Sequence, residues 1–510
     1  MRGRAWIGAL ACAATLAAAP SAQARDAIVE SFDGTSIVTH FFPAPGLDAG
    51  QRRAPTIMIG HGWGGTGATS PPADFAAAGY NILTWDARGF GGSGGTVTID
   101  HPQFEGRDVS ALIDFVAKQP EAMRDQRGDP RVGMSGGSYG GGIQFLAAAR
   151  DHRIDAIAPT IAWHDLLSSL YPRTSVKAGW DLALIGVGIP TSVALGVFSP
   201  AGIQTGHQSD HFYNSVVGGL ATGMLPSSEL PWFRAHGPDF LLKRIKAPTL
   251  IAQGTVDTLF DLDQAHRNYT ALKRERIPLK MMWFCGGHGV CTVDGDGAAV
   301  IGDSDHVQKR RLQWFKRYLK QRRRTHTGPA FEWIDQNAKW HRSGAYPLKR
   351  TGAVRGSGDG IVPLVPGLNP TSGVLVAAQP DPLAPIKVPI RARGGERIVG
   401  PPRIKLTYST AGIGTTRTDG LTHVFGQIVD RDRNVVVGNQ ATPIPIKLDG
   451  RTHTIKRTLT RVASVATPAG YELQILGQSD LFDAQRATGA LQVRSLRVAL
   501  PTTRSRKRHR

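Results

Sequence analysis

The chain has 510 residues and a mass of 54.7 kDa, and its composition is 41% hydrophobic and 20% charged. This composition excludes a largely disordered chain, and the length predicts at least two domains, because single cores stop growing near about 250 to 300 residues. The formal net charge of +20 predicts attraction to anionic cell-wall polymers, membranes or acidic substrates. No nucleic-acid motif accompanies that charge, so no specific nucleic-acid partner is expected.

The N-terminus has the features of an export signal. Arg2 and Arg4 precede an apolar run over residues 6–19, and residues 22–24 (Ala-Gln-Ala) have the small-x-small form at which signal peptidase cuts. We predict that residues 1–24 are a signal peptide, cleaved after about Ala24, and that the protein is secreted. A membrane anchor is the alternative, but the apolar run is shorter than the roughly 20 residues that a spanning helix needs.

The chain has three cysteines, and two of them lie outside the predicted signal peptide. Cys12 lies in the predicted signal, where a lipoprotein site would have an unusually short leader. Cys285 and Cys291 would remain in an oxidising compartment, so we predict that they form a disulfide. Two buried thiols are the alternative, whereas a metal site is not expected, because the lone His288 between them adds only a third ligand.

Between residues 57 and 319, short β-rich runs alternate with helical patterns, which is typical of a mainly parallel sheet covered by helices. Strands are predicted over residues 56–59, 81–85, 131–134, 156–162, 249–252 and 279–284. A helix over residues 107–118 places four apolar side chains at i, i+3, i+4 and i+7, namely Val109, Leu112, Ile113 and Val116. A closing helix over residues 307–320 is predicted to bury Leu312, Phe315 and Leu319.

Residues 165–245 interrupt the alternation. An apolar stretch over residues 180–198 contains Gly and Pro, and a polar segment with His207, His211 and Tyr213 follows it. We predict an inserted helical cap that lies over the top of the sheet and shapes the substrate pocket. An extra packing layer is the alternative.

After about residue 345 the helical periodicity ends. Runs such as 404–408, 424–429 and 491–493 lie between Gly, Pro, Asn and Asp turns and predict an all-β domain, a sandwich. The Gly/Pro-rich stretch 343–370 is the predicted boundary. The predicted division is therefore an α/β domain at 25–345, a β-sandwich domain at 346–500 and a basic tail at 501–510.

The motif Gly136-Gly137-Ser138-Tyr139-Gly140 fits a nucleophile elbow, in which a serine occupies a strained turn between a strand and a helix. The motif follows the predicted strand at 131–134 and precedes a helix-forming run at 143–150, which is the setting that an elbow requires. We therefore predict an α/β-hydrolase fold.

Ser135 fits the same Gly-x-Ser-x-Gly pattern three residues earlier, in the segment 133–137. Ser138 is favoured because it lies nearer the helix start and keeps the strand at full length. Ser138 is thus the predicted nucleophile, with Ser135 as the alternative.

In this fold the acid follows the serine and the histidine comes last. Asp257 follows the strand at 249–252, and His288 follows the last strand, at 279–284. The histidine would take the serine's proton, and the carboxylate would fix its tautomer and stabilise the imidazolium. Asp261 and Asp263 are the alternative acids.

The oxyanion formed on the substrate needs preorganised donors. The elbow supplies the backbone N–H of Tyr139, and the glycine-rich loop at 61–65 supplies that of Trp63. His61 in that loop is predicted to be structural. The Cys285–Cys291 loop contains His288, so a disulfide there would help to hold the base in position.

Several motifs together resemble the X-Pro dipeptidyl-peptidase-like hydrolases, the family that includes bacterial cocaine esterase. They are the segment 85–93 (Trp-Asp-Ala-Arg-Gly-Phe-Gly-Gly-Ser), the Ser138 elbow, the Asp257 and His288 loops, the cap and the C-terminal β domain. The resemblance implies amide or ester hydrolysis through an acyl-enzyme on Ser138, and a C-terminal jelly roll of the galactose-binding-like kind. Relatives often use a tyrosine hydroxyl in the oxyanion hole, whereas this chain has Trp63.

The resemblance predicts an X-Pro dipeptidyl-peptidase-like peptidase, with a carboxylesterase as the alternative. An X-Pro dipeptidyl-peptidase would need a carboxylate near the pocket to pair the peptide's ammonium, and the candidates in the cap are Asp165, Asp181, Asp210 and Glu229. A carboxylesterase of the cocaine esterase type would not need one. A non-catalytic wall-binding or polymer-binding protein is a third hypothesis, which the complete triad disfavours; no metal or organic cofactor is predicted.

Overall fold

The computed structural model describes residues 24–46, 53–193, 207–291, 305–367 and 378–504. The predicted signal peptide therefore lies outside the described residues except for Ala24, as do residues 505–510 of the predicted tail and residues 194–206 of the predicted cap. In the part that is described, no helix is long and apolar enough to cross a membrane.

A ten-stranded sheet forms the centre of the N-terminal region. Its strands in chain order are β1 (Arg25–Glu30), β2 (Ser36–Phe42), β3 (Thr56–Ile59), β4 (Asn81–Trp85), β8 (Val132–Gly137), β9 (Ile154–Thr160), β11 (Thr249–Gly254), β12 (Leu279–Phe284), β13 (Phe331–Ile334) and β14 (Trp340–Ser343). Short strands outside it are β5 (Thr96–Val97), β6 (Arg124–Gln126), β7 (Asp129–Pro130) and β10 (His207–Gln208).

The sheet order is β1-β2-β4-β3-β8-β9-β11-β12-β13-β14. The strands from β4 to β13 pair in parallel, whereas β1, β2 and β14 pair antiparallel at the edges. The sequence pattern predicted the parallel strands at the centre of the sheet, but it did not predict the antiparallel strands at either edge.

Nine α-helices are described, and five of them belong to the sheet's α/β alternation. These five are α1 (Ala73–Ala77), α2 (Glu105–Lys118), α3 (Tyr139–Arg150), α8 (Leu262–Leu272) and α9 (Asp305–Tyr318). The predicted core face of α2 is buried, and α9 is followed by the buried Leu319, but Leu312 is only partly buried.

The predicted cap range contains the other four helices. They are α4 (Leu166–Leu170), α5 (Ala178–Val193), α6 (Asp210–Thr222) and α7 (Leu230–Ala235). An aspartate begins the first of them, since the Asp165 side chain accepts a hydrogen bond from the Leu167 N–H at 3.0 Å. Asp165 is therefore a helix cap.

Two antiparallel sheets form the C-terminal region around a shared apolar core. Their strands in chain order are β15 (Lys349–Leu364), β16 (Ile386–Ile390), β17 (Arg397–Gly400), β18 (Arg403–Thr415), β19 (Leu421–Asp430), β20 (Val435–Lys447), β21 (His453–Thr458), β22 (Val462–Val465), β23 (Tyr471–Leu476) and β24 (Ala487–Arg504). One sheet has the order β21-β18-β24-β17-β22 with β15 beside β24, and the other has the order β16-β23-β19-β20. The all-β prediction is confirmed, while the jelly-roll description stays a prediction.

The predicted cut at 345/346 lies between β14 and β15, but two details of the predicted division differ from the structure. Much of the Gly/Pro-rich stretch 343–370 is strand β15, which pairs with β24 from Lys349 to Leu364. Residues 501–504, predicted as the start of a basic tail, continue β24 and pair with β15. Glycine is depleted in strands and marks turns, so the composition of β15 indicated a linker. Pairing with an 18-residue neighbour overrides that local preference.

Glycine is nevertheless required in β15, which gives a test of its strand character. A Cβ on Gly356 would lie 2.6 Å from the backbone oxygen of Pro389 in β16, whereas one on Gly352 would lie 3.3 Å from the side-chain oxygen of Thr502. We expect Gly356→Ala to lower the free energy of unfolding by about 1 to 3 kcal/mol through this overlap, measured by thermal unfolding of the full chain. Gly352→Ala is the control and should change it by less than about 0.5 kcal/mol; equal effects would contradict the packed strand.

Candidate active site

Ser138 lies on the turn between β8 and α3. Its backbone angles are φ 57° and ψ −119°, which is a strained conformation for a residue with a side chain. It is the N-cap of α3, but its side chain makes no capping hydrogen bond. The hydroxyl is therefore available to a partner outside the helix.

The glycines of the elbow allow this turn to form. Gly136 has φ 143°, and a Cβ there would lie 2.6 Å from the carbonyl oxygen of Gly60. A Cβ on Gly140 would overlap that same oxygen. The start of α3 can thus approach the end of β3 only because both positions lack side chains.

The structure brings together Ser138, His288 and Asp257. The distance from His288 Nε2 to the Ser138 hydroxyl oxygen is 2.8 Å, and that from His288 Nδ1 to Asp257 Oδ2 is 2.8 Å. With the proton on Nδ1, the imidazole donates to the carboxylate and its Nε2 accepts from the serine hydroxyl. This geometry lets His288 take the hydroxyl proton when the serine attacks.

The Asp257 carboxylate is fully buried and held by several donors. Its Oδ1 accepts from the backbone N–H groups of Leu259 at 3.0 Å and Phe260 at 2.8 Å. Its Oδ2 accepts from the Gln253 amide at 3.2 Å as well as from His288. These bonds satisfy the buried charge and leave one oxygen aimed at the imidazole.

The loop that carries His288 is closed by a disulfide between Cys285 and Cys291, with their Cα atoms 5.4 Å apart. Within it, Gly287 has φ 105°, and a Cβ there would lie 2.7 Å from Asp257 Oδ2. The close approach of the base to the acid therefore requires glycine at this position. The rings of Phe260 and Trp180 pack edge-on against the imidazole, with centroids 5.2 and 5.8 Å away.

The alternative residues have other places in the structure. Ser135 is buried inside β8, where its carbonyl oxygen accepts from the Gly60 N–H at 3.2 Å. Asp261 caps α8 by accepting from the Asp263 and Gln264 N–H groups. Asp263 pairs with Arg461 at 3.1 Å. None of the three lies in the Ser138–His288–Asp257 arrangement.

His61 has both ring nitrogens in hydrogen bonds to the backbone. Nδ1 lies 2.7 Å from the Gly62 oxygen, and Nε2 accepts from the Ala87 N–H at 2.9 Å. Burial lowers the pKa of His61, which favours the neutral ring that these two bonds need. It connects two loops, in agreement with the structural role expected for it.

Tyr139 and Trp63, the predicted oxyanion residues, both line the pocket at Ser138. Tyr139 begins α3, so its backbone N–H belongs to the first turn, where helical donors have no partner within the helix. The Trp63 indole N–H donates instead to the Leu184 carbonyl oxygen in α5, at 2.7 Å. The backbone N–H is therefore the only donor that Trp63 offers the substrate, and its indole N–H connects the loop to the cap.

The pocket at Ser138 is apolar. Besides the serine, its lining consists of Trp63, Ile99, Tyr139, Trp163, Leu166, Leu170, Leu184, Phe212, Leu259 and Phe260. Four of these residues lie in the predicted cap range, so the cap does shape the pocket. The one hydroxyl among them, that of Tyr139, donates to Glu105 at 3.2 Å.

The four cap carboxylates proposed for amine recognition have other environments. Asp165 caps α4, and Asp210 is exposed. The Glu229 carboxylate lies 2.7 Å from Nδ1 of His211. Burial raises the pKa of Asp181 to about 8, although the Lys177 ammonium opposes this. Asp181 is therefore largely protonated at neutral pH, and none of the four lines the pocket.

Two supports of the acid loop were not found from the sequence. The Gln440 amide of β20 donates to the Asp257 carbonyl oxygen at 2.6 Å. The buried Lys177 ammonium donates to the carbonyl oxygens of Thr258 at 2.8 Å and Leu259 at 2.9 Å. Both are single polar residues far from Asp257 in sequence, so no local pattern indicates them.

A buried acidic pair lies behind the elbow. The Tyr139 hydroxyl contacts Glu105 and accepts from the Asp100 N–H at 3.4 Å. Burial, and then the neighbouring Glu105 carboxyl, hold the pKa of Asp100 well above its usual range. Among the described residues, no group of three or more His, Cys, Asp or Glu side chains could hold a metal ion.

A family model described as X-Pro dipeptidyl-peptidase (S15 family) matches residues 33–308, more than half of the chain, and this range includes Ser138, Asp257 and His288. The chain belongs to this family. The match confirms the resemblance found in the sequence.

Among curated proteins, two from Escherichia coli are each described as an uncharacterized 31.7 kDa protein in the traX-finO intergenic region. Each is 34% identical over 119 residues, which are 23% of this chain and 40% of the relative. The chain thus spans less than half the length of these relatives. Quorum-quenching protein AidA of Acinetobacter baumannii is 28% identical over 226 residues, 40% of this chain and 71% of that protein.

Solved structures share the whole architecture. A CocE/NonD family hydrolase from Staphylococcus aureus has a TM-score of 0.65 at 13% identity and covers 94% of this chain and 93% of its own. An α-amino acid ester hydrolase has a TM-score of 0.65 at 15% identity, with coverages of 94% and 96%. At such identities the likeness concerns the fold alone, and it confirms the α/β-hydrolase fold with an all-β C-terminal region.

The Gln440 contact predicts that the C-terminal domain supports the acid loop. We expect Gln440→Ala to slow labelling of Ser138 by a fluorophosphonate about threefold to tenfold, because the Asp257 carbonyl loses a hydrogen bond worth about 0.5 to 1.5 kcal/mol. Gln427→Ala is the matched control, since that buried amide donates to Gln379 and Gln474 inside the C-terminal domain. It should lower thermal stability without changing the labelling rate; slowing by both variants would contradict a specific role for Gln440.

The raised pKa of Asp100 predicts a pH-dependent stability. In the folded state this carboxyl keeps its proton at pH values where the unfolded chain, with a pKa of about 3.9, has released it. The wild-type protein therefore loses stability as pH rises above that value, by up to about 1.4 kcal/mol per pH unit from this group. Asp100→Asn should be more stable relative to wild type at about pH 7 than at about pH 5, measured by urea unfolding. A difference that does not change with pH would refute this assignment.

Proposed function

We propose that the protein is a secreted hydrolase that cleaves esters of uncharged, apolar acyl groups through an acyl-enzyme on Ser138. The observation that carries the substrate class is the lining of the Ser138 pocket, which contains only aliphatic and aromatic side chains besides the serine. The secreted location is supported by the N-terminal sequence pattern.

In the proposed reaction, the Ser138 oxygen attacks the ester carbonyl carbon while its proton passes to His288 Nε2. The buried Asp257 carboxylate stabilises the resulting imidazolium. The tetrahedral intermediate then expels the alcohol, which takes the proton from His288 and leaves an acyl-enzyme. A water molecule repeats the sequence, releasing the acid and restoring the serine.

The carbonyl oxygen gains negative charge in both steps. In this proposal it is stabilised by the backbone N–H groups of Tyr139 and Trp63, each such donor being worth about 3 to 4 kcal/mol in barrier. The Trp63 loop is held in place by the bond from its indole to Leu184, so its backbone is preorganised.

The pocket's chemistry favours an apolar acyl group over a free amine. Burying an acyl chain among these side chains gains about 25 cal/mol per Å² of apolar surface. A peptide's N-terminal ammonium in the same place would lose its hydration without a carboxylate partner, which costs several kcal/mol.

An X-Pro dipeptidyl-peptidase is the second candidate, because the family match carries that description. It would need the substrate amine to lie outside the apolar pocket, near a carboxylate that is ionised at neutral pH. Asp181 does not meet this requirement, since its pKa is raised to about 8 by burial.

The test is labelling of the purified mature protein with a fluorophosphonate probe, followed by release assays on short acyl chromogens and on a Gly-Pro chromogen. We expect labelling of wild type, a complete loss in Ser138→Ala, and faster turnover of the acyl chromogens by at least about tenfold. The reason is that each misplaced charge or lost apolar contact costs more than about 1.4 kcal/mol.

Ser135→Ala is the matched control for the nucleophile and should keep its labelling. Faster release from the Gly-Pro chromogen would select the peptidase. An absence of labelling in well-folded wild type would refute the hydrolase mechanism and favour the non-catalytic hypothesis.

A further inference from the structure

A wide concavity away from Ser138 lies on the C-terminal domain and is lined by cations. Seven Arg and Lys side chains line it, with no acidic residue among the described lining residues. We call this concavity the basic groove. Six of its cations lie on strands of the C-terminal sheet, and the seventh, Arg173, belongs to the cap segment. The six are Arg355, Arg403, Lys405, Lys456, Arg457 and Arg497.

The strand register aligns three of these cations in a row. Lys405 of β18 pairs with Lys456 of β21 on one side and with Arg497 of β24 on the other. Residues that pair directly across antiparallel strands project to the same face, about 5 Å apart. All three are exposed, while the next residues, Ile404 and Leu406, are buried.

A second row lies two residues further along the strands. Arg403 pairs with Ala499 in β24, and Ala499 pairs with Arg355 in β15. Two residues along a strand correspond to about 6.6 Å, so the second row of charges follows closely on the first. The face is therefore a lattice of positive charges across four neighbouring strands.

These charges are not neutralised within the described chain. None of the six sheet cations belongs to an ion pair in the part of the chain that is described, whereas Arg461, Arg417 and Arg486 elsewhere each pair with an aspartate. Like charges placed directly opposite one another destabilise a sheet. The arrangement therefore has a cost in the free protein that a bound anion would remove.

Protection of a sheet edge does not explain the arrangement. Lysines on edge strands discourage aggregation, and β21 is an edge strand. However, β18 and β24 have neighbours on both sides and carry Arg403, Lys405 and Arg497. Charges on these inner strands need another reason.

We propose that the basic groove binds a linear polyol phosphate polymer, that is, sugar-alcohol units joined by phosphodiesters. Guanidinium groups match phosphate oxygens with two parallel hydrogen bonds, and five of the seven cations are arginines. Short polyol linkers let successive phosphates lie as closely as the cation rows. A polyuronate built on a disaccharide repeat has more widely spaced charges and fits the lattice less well.

The lining also disfavours nucleic acid as the occupant. No Phe, Tyr, Trp or His is among the described lining residues, and sequence-tolerant binding of single-stranded nucleic acid relies on stacking of bases on aromatic rings. The groove offers charge and hydrogen bonds but no stacking surface.

The groove borders the catalytic half of the molecule. Arg173, between α4 and α5, donates to the Pro443 carbonyl oxygen at 3.1 Å and to that of Thr458. A polymer in the groove would thus hold the cap segment and the C-terminal sheet at an anionic surface. This proposal does not depend on which ester or amide Ser138 cleaves.

The test uses the full mature chain and poly(glycerol phosphate) as the probe, with affinity measured over a range of salt concentrations. The variant combines Lys405→Gln, Lys456→Gln and Arg497→Gln. We expect its affinity at low salt to fall at least about tenfold and the slope of log affinity against log salt to decrease by about 2. Relief of like-charge contacts should leave thermal stability unchanged or higher.

The matched control combines Lys243→Gln, Lys246→Gln and Arg274→Gln, which removes the same charge from exposed positions of the catalytic half. It should keep its affinity within about twofold. Equal losses in the two variants would overturn the groove as the site, since binding would then follow net charge alone. Absence of wild-type binding, or tighter binding of single-stranded DNA or a polyuronate, would overturn the proposed ligand.

Discussion

The contact between the backbones at Gly60 and Gly140 is the constraint on which the site depends. No Cβ fits between the end of β3 and the first turn of α3, so α3 begins directly over the sheet and Ser138 takes up its strained turn. The strands β8, β11 and β12 run in parallel, and their carboxyl ends therefore lie at one edge of the sheet. That common edge is what allows loops distant in sequence to supply the serine, the carboxylate and the imidazole.

The acid loop is also a meeting point of the three parts of the molecule. Gln253 supports the Asp257 carboxylate from the catalytic sheet, Lys177 holds the following carbonyls from the cap segment, and Gln440 holds the Asp257 carbonyl from the C-terminal sheet. Burial lowers the pKa of Lys177, and its two carbonyl acceptors offset part of the cost of burying its charge. Hydrogen bonds from the cap and from the C-terminal domain therefore hold the loop that carries Asp257, the acid that orients His288 towards Ser138.

Charge is distributed in opposite ways at the two concave regions. The pocket beside Ser138 excludes charged side chains, so the substrate part that enters it gains from apolar burial. The groove on the C-terminal sheet collects cations in register, so a large anion gains there from many weak contacts. The two regions share no lining residue, so the proposed hydrolysis and the proposed polymer binding can be changed separately.

Local sequence patterns were sufficient to predict several strands and the three side chains that meet at Ser138. Strands β3, β4 and β12 begin and end where short β-rich apolar runs predicted them, and the elbow and the order of acid and base indicated the three side chains that the structure brings together. Tertiary structure alone decided the antiparallel edge strands, the glycine-rich strand β15, the Gln440 and Lys177 supports and the alignment of Lys405 with Lys456 and Arg497. Periodicity and turn chemistry act over a few residues, so they can be seen in the sequence. Strand pairing and register depend on contacts between segments far apart in the chain, so they cannot.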